Sequence, residues 1–135
     1  SDIELKEKQD RVEDAICATK AAIKEGIIPG GGVALLNASL EIKSKNEGET
    51  VLLQAIMSPY KTILNNAGYE EITISGEDGY GIDVVTGNMV HMINDGIIDP
   101  LLVTKSALQN AASVASTILS TDCVINNIRI NESSR

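Results

Sequence analysis

Apolar positions recur mostly at helical spacing along this chain. Over residues 4–25, Val12, Ile16, Thr19 and Ile23, with Ala15 and Ala22 beside them, make one stripe of an uninterrupted helix. Asp10, Asp14, Cys17 and Ala21 fall on the opposite side. Gly26 is a natural stop, because glycine tolerates the backbone of a helix end. A second pattern opens at Val33, directly after Ile27-Ile28-Pro29-Gly30-Gly31-Gly32. There Val33, Leu36 and Leu40 share a face, with Leu35 and Ile42 nearby. Residues 43–49 are polar and read as an exposed turn. Leu52, Leu53, Ile56, Tyr60, Ile63, Leu64 and Ala67 then predict helix from about 50 to 67. Pro59 either kinks that helix or starts a second one, with Ser58 as N-cap. Gly68 ends it.

The period changes after Gly68. Ile72-Thr73-Ile74 is short and β-branched, and the glycine-bearing stretch from Ser75 to Gly81 predicts loop. Gly81–Val85 and Met89–Ile93 flank Thr86-Gly87-Asn88 and read as a small hairpin. Asp95-Gly96 marks a turn. Asp99 and Pro100 then look like the N-cap and first position of a last helix. Its stripe is Val103, Ala107, Ala111, Val114 and Ile118, and its alanines and serines keep it thin. Residues 123–130 are a candidate terminal strand. The expected fold class is mainly α, multihelical, with a small β-hairpin and that C-terminal strand.

Composition narrows the picture. At 135 residues and 43% apolar, the chain is one globular domain's worth. With no Trp or Phe, the core must come from Ile, Leu, Val, Ala and three tyrosines. A net charge of −8 argues against a nucleic-acid or anionic-membrane surface. No apolar run is long enough for a transmembrane helix, and no basic start leads into a signal peptide. The first residue is Ser rather than Met, which leads us to expect a piece of a longer chain. Cys17 and Cys123 lie far apart and predict two reduced, partly buried thiols. A single histidine, His91, builds neither a multi-histidine zinc site nor a Ser-His-Asp triad.

Three features offer chemistry. Pro29-Gly30-Gly31-Gly32 precedes a helix, whose unpaired N–H groups and dipole suit a phosphate or nucleotide. On spacing alone, a tight interhelical turn is the simpler reading, since neither GxGxxG nor GxxxxGK[ST] is present. Asp14 lies mid-helix among polar residues, where a carboxylate is ordinarily just solvated. It also suits water orientation or a position facing a metal. Asp99 caps a helix or accepts from ribose hydroxyls, and its two oxygens allow both. Asp83 has a turn reading.

Taken together, these stretches resemble one family. Arg11-Val12-Glu13-Asp14-Ala15, Ala18-Thr19-Lys20-Ala21-Ala22 and Glu25-Gly26-Ile27-Ile28-Pro29-Gly30-Gly31-Gly32-Val33-Ala34-Leu35 are similar to the C-terminal third of the group I chaperonin large subunit, the GroEL type. So are Gly96-Ile97-Ile98-Asp99-Pro100 and Val103 through Ala115. The resemblance spans about residues 2–128.

That resemblance implies a role. Residues 1–25 would be the C-terminal helix of an intermediate domain, and 26–135 the C-terminal half of an ATP-binding equatorial domain. The intact family is an ATPase that folds proteins, using ATP and Mg. Its rings of seven identical subunits encapsulate unfolded polypeptide under a GroES-type co-chaperonin, in a bacterial-type cytoplasm or an organelle matrix. Asp14 matches the carboxylate that, in the family pattern, orients the attacking water near Mg. Gly30 and Gly31 match glycines that pack on the nucleotide, Asp99 the carboxylate on the ribose, and Ile97 an apolar contact to adenine. Asp83 and Val84 stand where the family usually has Asn-Ala near the base. The chain is shorter than the family pattern near 43–50 and 69–80, and 126–135 match poorly. The phosphate loop, the Mg-binding Asp and the apical domain lie outside the matched third. We therefore expect the isolated chain to bind ATP weakly or not at all, and to self-associate through uncovered apolar faces. Two other readings stand beside this one: a small non-catalytic nucleotide- or anion-binding helical module, and an acidic interaction module without ligand.

Overall fold

A computed structural model describes residues 1–71, 73–123 and 125. Among these residues, five helices and four short strands follow in order: α1 (Asp2–Glu25), β1 (Ile27–Pro29), α2 (Val33–Glu41), α3 (Glu47–Ala55), α4 (Ser58–Asn66), β2 (Tyr80–Ile82), β3 (Met89–His91), β4 (Ile98–Pro100) and α5 (Leu101–Leu119). The mainly helical expectation holds. The chain divides into two compact units, Ser1–Thr104 and Lys105–Arg135. No described helix is long and apolar enough to cross a membrane.

In the first unit α1 ends at Gly26, whose φ of 89° only glycine adopts readily. Its packing reverses one expectation. The branched stripe stays in solvent, with Val12, Ile16 and Ile23 at 60%, 49% and 80% exposure. The buried residue is Ala21, on the side read as polar. Ala18, Ala21 and Ala22 let the helix approach β4 closely, which branched side chains would prevent.

The expected turn at 43–49 closes earlier, because Asn46 caps α3. Its side chain accepts from the Glu49 amide at 2.9 Å, and the Glu49 carboxylate accepts from the Lys45 amide at 2.7 Å. Glu47 and Glu49 complement the dipole of that first turn. Pro59 does start a second helix, but Met57 rather than Ser58 is the N-cap, and no side chain caps it. Proline has no N–H to return to the previous turn, so the 50–67 pattern splits into α3 and α4. Thr73 and Ile74 form no regular structure, and Ile72 lies outside the described residues.

The hairpin is present but short, with Tyr80 opposite His91 and Ile82 opposite Met89. The remaining ladder was not foreseen. Strand β1 pairs antiparallel with β4, setting Ile27 against Pro100, Ile28 against Asp99 and Pro29 against Ile98. Asp99 and Pro100 therefore belong to a strand rather than to a helix start, and α5 opens at Leu101. The Leu101 amide donates to Gly26 at 3.1 Å.

The core sits between α2, α4 and the hairpin. Val33, Leu36, Tyr60, Leu64 and Met92 are buried, and Met57, Tyr69, Ile82, Val90 and Ile97 pack on them. In the second unit, the α5 residues expected to form a packing stripe are exposed, Val114 at 59% and Ile118 at 56%. The expected strand at 123–130 lies largely outside the described residues. Cys17 and Cys123 are free thiols but exposed rather than partly buried.

Candidate functional site

The β1–β4 ladder continues one step beyond its last pair. The Gly30 amide donates to the Ile97 carbonyl at 2.9 Å. A Cβ on Gly30 would lie 3.0 Å from Ile97 and Ile98 main-chain atoms, so a side chain at this buried position would press on the β4 backbone. Gly31 (φ 63°) follows, and Gly32 (φ 80°) is the N-cap of α2. No side chain caps α2. Its first turn keeps the donor-rich, positive character of a helix start.

Ile97 is half-buried against the core, and its amide donates to Met92 at 2.8 Å. Two residues on, Asp99 is half-buried in β4. It lines a half-open cleft with Ala18, Thr19, Ala22, Ile27, Ile98 and Pro100. At about 160 Å³ the cleft is smaller than the roughly 300–1,000 Å³ of a typical ligand pocket. Thr19 does not face it as a free hydroxyl, because its Oγ1 donates to the Ala15 carbonyl at 2.7 Å. The Asp99 carboxylate forms no hydrogen bond among the described residues.

Asp14 is exposed on α1. It precedes Ala18 by one turn and so lies on the side of the helix that meets β4. Its carboxylate is likewise uncommitted among the described residues. Gly30, Gly31 and Ile97 thus gather at one end of a two-stranded ladder, Asp99 stands two residues further along β4 opposite Ile28, and Asp14 lies one helical turn beyond the cleft. The sequence placed Asp14 and Ala21 together but took that side for solvent.

Asp83 and Val84 are placed differently. Both lie in the hairpin loop, where Val84 is exposed at 40%. The Asp83 carboxylate holds the loop together: it accepts from the Thr86 hydroxyl at 2.7 Å and from the Val85 amide at 3.0 Å. Those two donors, the Thr86 hydroxyl first, hold its pKa below the ordinary 3.8. The turn reading of Asp83 accounts for these bonds. The hairpin meets the glycine turn through the core, where Gly81 lies against the Val33 side chain. His91 is a half-buried strand residue, its ring edge-on to Tyr80 at 5.2 Å and its Nδ1 accepting from the Asn94 amide at 3.3 Å.

The pairing of β1 with β4 escaped the sequence reading, although one signal was available. Ile27-Ile28-Pro29 and Ile97-Ile98 are matching apolar runs that each adjoin a helix end. Tyr60 and Met92, which support the turn from below, carried no motif. Among the described residues, no group of three His, Cys, Asp or Glu could hold a metal ion. The turn offers main-chain donors, Ile97 an apolar surface and Asp99 a hydrogen-bond acceptor.

The sequence matches the model of the TCP-1/cpn60 chaperonin family over residues 1–129. It is 44% identical over 141 aligned residues to the mitochondrial chaperonin homolog Hsp-60 of Caenorhabditis elegans, covering 95% of this chain and 25% of that protein. The fold is similar to a crystal structure of a group III chaperonin in the open state. The TM-score there is 0.66 at 26% identity, covering 78% of this chain and 25% of that one. The chain thus spans about a quarter of the length of the relatives it matches. A match over nearly all of its 135 residues settles the family: this chain belongs to the TCP-1/cpn60 chaperonins.

Proposed function

We propose that this chain is the C-terminal quarter of an ATP-driven chaperonin subunit of the group I, GroEL type, and supplies one side of its nucleotide site. The observation that carries the reading is the Gly30–Ile97 main-chain bond. It fixes the glycine turn to the end of the β1–β4 ladder, two residues along β4 from the uncommitted Asp99 carboxylate, and Asp14 lies on the side of α1 that meets β4. The greater likeness to mitochondrial Hsp-60, 44% against 26% for the group III structure, supports the group I assignment and an organelle matrix as its setting.

Each residue has a role its environment allows. Gly30 and Gly31 offer bare backbone at an uncapped helix start, which an anionic or planar group can approach closely. Asp99, an acceptor-only carboxylate, takes hydrogen bonds from ribose hydroxyls. Ile97 gives the base an apolar neighbour. Asp14 orients the attacking water, since its carboxylate is solvated and has no other partner here. ATP bound with magnesium supplies the phosphoryl group. The metal and the phosphates must be held by parts of the subunit beyond these 135 residues. Residues 1–25 would be the returning helix of an intermediate domain and 26–135 half of an equatorial domain. Identical subunits in a heptameric ring, a GroES-type lid and unfolded polypeptide are its partners.

The test has two parts. In the full-length subunit, Asp14→Ala should lower ATP turnover on the order of 100-fold while leaving nucleotide affinity intact. Unchanged turnover would remove Asp14 from the chemistry. Calorimetry of the 135-residue chain with Mg-ATP should show no micromolar binding. A micromolar site would favour the small non-catalytic nucleotide-binding module instead.

A further inference from the structure

Tyr60 is 1% exposed and belongs to no motif, yet it touches both the glycine turn and the segment that leads into the hairpin. Its main chain lies under the glycine turn: a Cβ on Gly32 would sit 2.7 Å from the Tyr60 nitrogen and 3.0 Å from its Cα. Its ring crosses the core between Val33, Leu36, Leu64 and Met92. Its hydroxyl emerges on the far side and donates to the Thr73 carbonyl at 3.1 Å. That carbonyl belongs to the segment leading into the hairpin. The far end of the same segment is held twice more, by Asn37 Nδ2 donating to Asp78 and by the Met92 amide donating to Gly79 at 2.9 Å. Ile82, the last residue of β2 before Asp83, packs against the same core cluster. Burial raises the Tyr60 pKa, and the Ile82 backbone facing the hydroxyl opposes that rise.

A phenylalanine would fill the same core space. The hydroxyl's distinct effect is to fix how far the hairpin lies from the glycine turn. We propose that Tyr60 is a positioning residue, which sets the spacing between the Gly30–Gly32 turn and the Asp83–Asn88 loop through its hydroxyl on Thr73. This rests on the proposed nucleotide site at the glycine turn and on the family resemblance, which sets Asp83 and Val84 near the base. Tyr60 itself touches no substrate. It acts through Thr73 and the hairpin that follows.

The experiment compares Tyr60→Phe with Leu64→Val in the full-length subunit. Both alter the same core, but only the first removes the hydroxyl. Hydrogen exchange of the nucleotide-free protein is the first readout. In Tyr60→Phe, amides of residues 80–88 should exchange about fivefold faster, the scale of one lost hydrogen bond. Leu64→Val should loosen the core without that local pattern. Steady-state kinetics with ATP is the second readout. Tyr60→Phe should raise KM by about three- to tenfold and move kcat less than twofold, as expected when binding geometry alone is disturbed. Leu64→Val should leave KM within twofold. Unchanged exchange at 80–88, unchanged KM, or the same KM change in Leu64→Val would each overturn the proposal. If the wild-type subunit binds no ATP, the nucleotide reading fails, while exchange still decides whether Tyr60 holds the hairpin.

Discussion

Gly32→Ala isolates the packing that builds the glycine turn. Gly32 has φ 80°, and the added methyl would lie 2.7 Å from the Tyr60 nitrogen and 3.2 Å from the Pro59 carbonyl carbon. These are main-chain atoms at the start of α4, so no side chain can swing away. Two costs follow. The left-handed backbone costs any L-residue about 1–2 kcal/mol. Displacing a packed backbone costs about 1–3 kcal/mol more, by analogy with overpacked cores. Gly96→Ala separates the two, because Gly96 has φ 77° and nothing within 4 Å of its Cβ position. It should show only the conformational cost. Urea unfolding followed by circular dichroism then gives the difference between the variants. We expect Gly32→Ala to be less stable than Gly96→Ala by about 1–3 kcal/mol, with unchanged slope. Equal losses would mean that α2 and α4 do not abut at Gly32, and the support for the turn argued above would be wrong.

Further outcomes follow from other contacts. Asp83 has a folded-state pKa below its ordinary value, so the loop gains stability above the ordinary carboxylate range and loses it as pH falls through the lowered pKa. Carboxyl NMR should find the Asp83 midpoint below 3.8, and Thr86→Val should move it upward; no movement would show that the Thr86 hydroxyl is not its main partner. Asp78→Ala removes the acceptor of the buried Asn37 amide. It should cost about 1–3 kcal/mol in the same unfolding assay, and a neutral result would mean that water replaces the contact. The exposed α1 stripe predicts concentration-dependent association of the isolated chain in sedimentation velocity. Ile16→Lys with Ile23→Lys should reduce it, and undiminished association would place the contact elsewhere.

Helices and their ends were largely legible. Val33, Leu36, Tyr60 and Leu64 lie on the faces that their spacing assigned to the core. Gly26 and Gly68 end helices as expected, because positive φ leaves few alternatives to glycine. The failures share a cause. Asp99-Pro100 satisfies the local chemistry of a helix start, but pairing with Ile27 and Ile28 outweighs it, and pairing is not written in local spacing. Asn46 capping was readable as N-x-x-E, yet Gly48 and the surrounding charges suggested a loop. The glycine run was visible as a turn. That Gly30 is held by Ile97, some 67 residues later by their numbering, was not.

The reversal of α1 bears on function more than the others. An amphipathic helix ordinarily buries its branched residues. Here the 135 residues bury the alanine side and leave Leu5, Val12, Ile16 and Ile23 exposed, Leu5 at 68%. Small residues allow a close approach of α1 to β4 but bury less apolar area than the branched side would. Asp14 rides on that same side, one turn beyond Ala18, while Asp99 and the glycine turn belong to the ladder tied to the core. The main-chain bond to Ile97 and the core contacts thus fix the glycine turn, whereas the Asp14 carboxylate, exposed and unpartnered among the described residues, is held by nothing but its own helix.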